Sequence, residues 1–303
     1  MSDNDYNPPA SGVMKERQNS NDALRLLLAQ RHLYSRAKIW QSIRWSGIAI
    51  IGVGAPFASL LAPETAVGAG ALAGVWLFVG RTVLTWLESQ DMSRAACLQE
   101  EVDQYIFRMP TTVTRAERPT PEQVALLAGD STQLESLARH ERLLDWYPID
   151  AQSSAVENVA ISQRSNAEYT ARLIRTTVTV WAIAVFTWLS LLVLWASIIG
   201  TSLADFLLGV AFPLLPAFLD VAEYVLSTAR ASRDRADLAR SIHARLQEGQ
   251  PPIEGQELLV WQERLFDLRR TTPQVPDWLY KLTRKRNERA MKIAAEQLRR
   301  RHL

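Results

Sequence analysis

The chain has 303 residues, 48% of them hydrophobic, a formal net charge of +2 and a single cysteine, Cys97. So balanced a charge excludes the global basic field of a dedicated nucleic-acid binder, and no DNA partner is expected. One cysteine excludes an internal disulfide and a cysteine-based zinc site, and fits a reducing compartment.

Residues 1–18 are polar and rich in Asn, Asp, Pro and Ser, which predicts a disordered tail. Met1–Gly12 shows no basic segment followed by a short apolar core, so no cleavable signal peptide is expected. Helical spacing of Leu24, Leu27, Leu28 and Leu33 predicts a cytoplasmic helix over 19–43 that runs on into lipid. Residues 46–87 then carry no charge except Glu64 and Arg81, and residues 176–226 carry only Asp205, Asp220 and Glu223. A helix needs about 20 apolar residues to span hydrocarbon, so each stretch is too long for one crossing and suited to two. The prediction is a first transmembrane hairpin over 44–87, turning at Ala62-Pro63-Glu64-Thr65, and a second over 176–226, turning at Gly200-Thr201-Ser202.

Between the hairpins, 88–175 reads as a helical cytoplasmic region. It holds a polar helix from Glu88 to Phe107, a loop, a helix opened by Pro121, a third helix from Thr132 to Trp146, and a helix over 153–175 that leads into the third span. Residues 227–303 close the chain as charged cytoplasmic helices. No segment has a convincing strand pattern, and the predicted fold class is all-α, an integral membrane protein with four spans.

Lysine and arginine flank the hairpins only on the side of the termini: Arg36, Lys38 and Arg44 before the first, Arg172 and Arg175 before the second, Arg230 and Arg233 after it. The two short turns carry neither residue, which places both turns outside and both termini in the cytoplasm of a multi-pass inner-membrane protein. Gln30-Arg31 with Tyr34, and Gln163-Arg164 with Tyr169, stand before the two hairpins as a weak repeat.

Three segments carry a family pattern: LLAQRHLYSRAKIWQSIRW at 27–45, LLDWYP at 143–148 and SQRSNAEYTARL at 162–173. Their order and spacing around two hairpins resemble the SMODS-associating four-transmembrane effectors. The resemblance implies a bacterial anti-phage (CBASS) effector encoded beside a cyclic-oligonucleotide-making nucleotidyltransferase. Such a protein is expected to oligomerise and permeabilise the inner membrane once the nucleotide signal arrives, giving abortive infection. A membrane-anchored scaffold and a housekeeping channel remain alternatives.

Several residues are candidates for the mechanism. Arg81 in the second span and Asp220 in the fourth reach similar depth, with Glu223 one turn further in. An ion pair or a wet inner vestibule would lower the cost of placing charge there; the alternative is that Arg81 snorkels to the headgroups and both acids already lie in the interface. Pro213 and Pro216 in the fourth span are either a gating hinge or a static bend. Gly70 and Gly74 form a GxxxG pattern for packing within the hairpin or between subunits, and Trp181, Trp188 and Trp195 make a stripe facing lipid or a packing neighbour. Asp145, Trp146 and Tyr147, with Arg31, Tyr34, Arg164 and Arg172, could stack on bases and meet phosphates of a cyclic oligonucleotide, or form a plug at a helix end. The basic final helix is either a binder of anionic lipid or a solvated face. The four histidines are scattered, no catalytic or metal-ligating constellation stands out, and neither an enzyme nor a bound cofactor is expected.

Overall fold

The computed structural model describes residues 6–61, 66–200 and 202–300. The turn expected at Ala62-Pro63-Glu64-Thr65, and Thr201 of the second turn, lie outside the described residues. Helices in chain order are α1 (Ser11–Arg17), α2 (Asn21–Leu61), α3 (Ala66–Val79), α4 (Thr85–Phe107), α5 (Pro121–Ala128), α6 (Leu134–Glu141), α7 (Ala155–Ile199), α8 (Leu203–Phe206), α9 (Phe212–Glu248), α10 (Gly255–Thr271) and α11 (Asp277–Arg300). A π turn at Gly80–Leu84 joins α3 to α4, and another at Leu207–Ala211 joins α8 to α9. Among the described residues there is no strand.

Local chemistry sets most of the ends. Thr120 and Gln123 form a capping box with Pro121 at the first position of α5. Ser154 accepts the Glu157 N–H to start α7, and Gly200 ends it at a φ of 72°. Glu254 and Glu257 cap α10 in the same reciprocal way as the α5 box. Three helices are unusually long: α2 has 41 residues, α7 has 45 and α9 has 37.

Each of these rods has two chemically distinct halves. In one half α2 packs on α4, α5 and α6, α7 packs on α9, and α10 fits against α4, α7 and α9, while α11 lies along α7. Leu27 and Leu33 of α2, Leu98 and Ile106 of α4, Ile161 of α7 and Leu265 of α10 are buried there almost completely. Each such side chain contributes about 1.5–3 kcal/mol of transfer free energy. In the other half the apolar side chains face outward: Ile50 of α2, Phe186 and Ile198 of α7, and Phe212 and Leu219 of α9 are each more than half exposed, as are Leu72 of α3 and Leu203 of α8. An apolar belt running around several helices far exceeds the patches that water-soluble monomers tolerate. Among the described residues, Gly70–Phe107 and Ala155–Ile199 are long and apolar enough to cross a membrane.

Four sequence expectations meet the structure differently. The tail expected to be disordered over 1–18 contains α1, whose Met14 is fully buried, and Tyr6 donates its hydroxyl to the Phe107 carbonyl at 2.8 Å. Polar composition hid the few apolar residues that anchor it. The helix expected from Thr132 to Trp146 stops at Glu141, because Arg142 and Asp145 turn left-handed so that Leu143 and Tyr147 can enter the core. Gly70 and Gly74 are exposed and meet nothing within the chain; the close packing of the first hairpin is made by Gly47, against which Trp76 lies so tightly that an added Cβ would stand 1.9 Å from its ring. Trp181 packs on Trp45 at 5.0 Å and on Tyr224 at 5.8 Å, so at that position the tryptophan stripe has a packing neighbour.

The chain near Tyr6 runs across the first turn of α10, where a Cβ on Gly255 would stand 1.7 Å from the Tyr6 carbonyl oxygen. Gly255→Ala is therefore expected to lift residues 6–10 off α10 and loosen α1. Hydrogen exchange should rise in residues 6–17 and stay unchanged in the buried part of α7.

Candidate functional site

Polar chemistry gathers at two levels. The outer level is where the rods pass from the packed bundle into the apolar belt. There Arg81 Nε stands 2.6 Å from Asp220 Oδ1, and Arg81 Nη2 donates to Glu223 Oε2 at 2.9 Å. Asp220 is nearly enclosed, with 12% of its side chain exposed, whereas Glu223 is 72% exposed, so Asp220 carries the greater share of the interaction. An unpaired charge at membrane depth costs at least about 2.5 kcal/mol, which pairing offsets.

Arg81 is presented by the π turn, where the extra backbone residue turns its side chain toward α9. Thr85 Oγ1 donates to the Gly80 carbonyl at 2.9 Å within that turn. Arg44 braces the turn from α2: its methylene chain passes Gly80, and Nη1 donates to Thr85 Oγ1 at 2.6 Å. Its other terminal nitrogen lies 3.6 Å from Glu88. Beside these groups is a cavity of about 830 Å³, lined by Arg44, Arg81, Glu88, Asp220, Glu223 and Arg270 among others. Pro216 lies one turn outward from Asp220, inside α9, and the second π turn directly precedes α9, in which Pro213 is the second residue. Both α3–α4 and α8–α9 thus carry an irregular turn within their apolar length, a feature that π bulges often lend to functional sites. Sequence reasoning named Arg81, Asp220 and Glu223, which the fold brings together; it missed Arg44 and Glu88, which look like ordinary flanking charges until α2 and α4 are packed side by side.

The inner level lies within the packed helical bundle. Asp103 of α4 is buried and accepts from Tyr147 Oη at 2.5 Å, from Gln262 Nε2 at 2.7 Å and from Arg269 Nη1 at 2.6 Å. Arg235 of α9, equally buried, donates to the Leu268 carbonyl at 2.8 Å and to Thr272 Oγ1 at 3.2 Å. Tyr34 of α2 completes the group through its hydroxyl, which donates to Gln99 at 3.3 Å. Arg235 and Arg269 are each only 3% exposed, and among the described residues Asp103, bonded to Arg269, is the one carboxylate bonded to either. Nη1 of Arg235, and Nε and Nη2 of Arg269, have no acceptor. Burial, reinforced by repulsion from Arg269, pulls the Arg235 guanidinium down to about 10 despite the favourable field of Tyr34. Burial also pushes the Tyr34 hydroxyl up to about 12. Tyr147 is held well above its usual range by burial and by the neighbouring Asp103 charge, and stays a hydrogen-bond donor.

The candidate ligand residues do not converge on one surface. Tyr147 is a buried plug stacked on Phe107 at 5.2 Å. Asp145 is tied by its backbone and side chain to Asn19. Arg31 pairs with Glu141 at 3.3 Å, and Arg172 pairs with Glu168 along its own helix at 2.8 Å. Arg164 is half-buried, with Nε and Nη1 lacking acceptors and its basicity lowered by burial. An aromatic platform at 145–147 is thus replaced by a plug, because a tyrosine can enter a core when a buried carboxylate receives its hydroxyl. Arg235 and Arg269, which sequence reasoning did not select, also keep open donors, and only packing distinguishes them from the chain's many surface arginines. Among the described residues no three His, Cys, Asp or Glu side chains gather as metal ligands.

The domain described as SMODS-associating 4TM effector domain matches residues 13–298. A protein of Bacillus cereus strain VD146, named a probable CBASS effector molecule, is 22% identical over 92% of this chain and 95% of its own length. No solved structure matches the chain.

Removing the Asp103 charge should leave two buried guanidiniums without compensation. Asp103→Asn is expected to destabilise the helical bundle by about 3–5 kcal/mol. Asp103→Leu combined with Arg269→Met should recover much of that loss, read by thermal unfolding of the detergent-solubilised protein.

Proposed function

The chain belongs to the SMODS-associating 4TM effector family, and on that premise we propose that it is a bacterial anti-phage effector that permeabilises the inner membrane when a cyclic oligonucleotide signals infection. It is an integral membrane protein of two hairpins, four spans in all, with both termini in the cytoplasm. Copies assemble in the bilayer, and the chain catalyses no reaction. The observation that carries this reading is the continuity of α2 and α9: each holds one end in the buried arginine network, through Tyr34 and Arg235, and the other in the apolar belt.

The sequence of events follows from charge. A phosphodiester brings negative charge and acceptor oxygens to guanidinium groups whose N–H donors are open, the strongest class of hydrogen bond in proteins. Reaching them requires the bundle to loosen around α10, which supplies Arg269. Loosening α10 changes the seating of α2 and α9, and those helices transmit the change to Arg44, Arg81 and Asp220 without a flexible joint. Breaking the Arg81–Asp220 pair exposes charged groups toward the vestibule, where water stabilises them, and favours a wet path among assembled subunits. Pro216 and the π turns lower the cost of bending α9 and α4 as this happens.

Co-expression with the adjoining nucleotidyltransferase, followed with a membrane-potential dye, tests the reading. Depolarisation is expected with an active synthase and not with an inactive one; unchanged polarisation at full expression of both proteins would refute permeabilisation. Arg81→Asp is expected to depolarise the membrane even without an active synthase, and the exchange Arg81→Asp with Asp220→Arg to restore much of the dependence on it. In a Cys97→Ser background, cysteines at Ser2 and His302 should react with an impermeant maleimide only after the inner membrane is opened.

A further inference from the structure

A groove of about 1110 Å³ lies on the opposite side of Trp45 from the vestibule, between α2 and the beginning of α11, and reaches up to α3. Its membrane-side wall is apolar, with Ile43, Ile50 and Leu72, and its cytoplasmic end is polar, with Lys38, Gln41 and Asp277. We propose that this groove is a binding site for one anionic glycerophospholipid, its headgroup held at Lys38 and the start of α11 and an acyl chain laid along α2. The proposal rests on the membrane-spanning reading of the chain but not on nucleotide control.

The dimensions fit. Lys38 and Gly54 both line the groove and stand on the same helix, about 24 Å apart at 1.5 Å per residue. One leaflet's share of the hydrocarbon is about 15 Å thick. The groove therefore extends from the headgroup level to the middle of the bilayer. Aromatic rings mark its interfacial part: Trp45, Trp181 and Tyr224 pack on one another along its wall, and Trp278 closes its cytoplasmic end. Indole rings favour this level of a bilayer.

The chemistry asks for an acceptor. Gln41 is 4% exposed and its amide shares a hydrogen bond with Tyr224, whereas the indole N–H of Trp45, one turn along the same helix, has no acceptor. A buried donor left open costs about 1–3 kcal/mol. Trp45 lines the groove, so an ester or phosphate oxygen that enters beside its ring satisfies that N–H. Lys38 Nζ donates to Asp277 at 2.5 Å, which engages one of its N–H bonds and leaves others for a phosphate.

Charge on α11 selects the sign of the lipid. One face of this helix is spent on packing, with Leu279, Thr283 and Met291 buried. Beyond that face, Trp278 and Leu282 are exposed at a spacing of one turn, beside exposed Lys281, Lys285 and Arg286. Exposed apolar and basic residues so interleaved at the mouth of a groove are the pattern of a helix that rests on an anionic surface. Bound lipid would tie α11 to α2, and so set how firmly the cytoplasmic bundle is seated on the membrane.

The test uses the full chain purified in detergent and released from micelles in a mass spectrometer after incubation with phosphatidylglycerol or phosphatidylcholine. One phosphatidylglycerol is expected to stay bound per chain, with phosphatidylcholine retained at least tenfold less. Lys281→Gln and Lys285→Gln, both on the surface and harmless to packing, should each weaken phosphatidylglycerol retention roughly fivefold, the equivalent of one near-surface charge. Trp278→Ala should lower retention of the lipid while leaving thermal unfolding unchanged. Equal retention of the two lipids, or variants that bind as the parent does, would overturn the proposal. So would a cross-link between cysteines placed at Ile43 and Leu282 that joins two chains rather than one, since a second copy would then fill the groove. A chain that stays soluble without detergent would instead defeat the membrane-spanning premise.

Discussion

Hydrocarbon offers no water to a backbone amide, so a segment that enters it must satisfy its own hydrogen bonds, and the helix is the form that does so within one segment. That constraint accounts for the proportions of this molecule. The apolar halves of α2, α7 and α9 show side chains outward that only lipid or another subunit can cover. Their other halves build a helical bundle with a continuous core. Since no loop interrupts these rods at the boundary, the bundle and the membrane segments are mechanically one object.

The polar groups are placed where that continuity matters. At the boundary, the arginine of a π turn is held between two acids of α9 and braced by Arg44 of α2. Deeper in the bundle, Asp103 gathers a tyrosine, a glutamine and an arginine from the surrounding elements, while Arg235 stands nearby with a donor unused. Buried charge of this kind is poor insulation against unfolding, because desolvation consumes most of the Coulomb gain. It does make the packing sensitive to any anion that can compensate the excess guanidinium charge. A third cluster, the groove at Trp45 and Trp278, lies beside the outward-facing apolar side chains and holds a donor of its own, the Trp45 N–H. Signal, gate and lipid contact would then act on the same helix, α2, at successive heights.

Particular residues show where legibility in the sequence ended. The matching of Arg81 and Asp220 could be counted along two apolar segments, because helix rise is constant and the sequence reading runs both segments in the same direction. The role of Tyr147 could not be counted: its neighbour Asp103 lies 44 residues away and Arg269 further still. The order of residues 6–18 was hidden for a similar reason, since α1 is anchored by Met14, by the Tyr6 hydroxyl and by the open Cα of Gly255, none of which alters local composition. The glycines show a related limit. Gly70 and Gly74 have the conspicuous spacing, but the close approach is made at Gly47, where a tryptophan from α3 fills the missing side chain's place.

By itself the sequence determined the all-helical class, the position of the two long apolar stretches and the polarity of their flanks, because these depend on composition and on a 3.6-residue period that local backbone physics enforces. It also carried the family, through short segments in a fixed order. Tertiary structure alone decided which arginines are buried, where the π turns fall, which face of the basic last helix is spent on packing, and that a groove with an open donor exists beside α2. Those features arise from contacts between residues tens to hundreds of positions apart, and the pattern of a single segment holds no record of its distant neighbours.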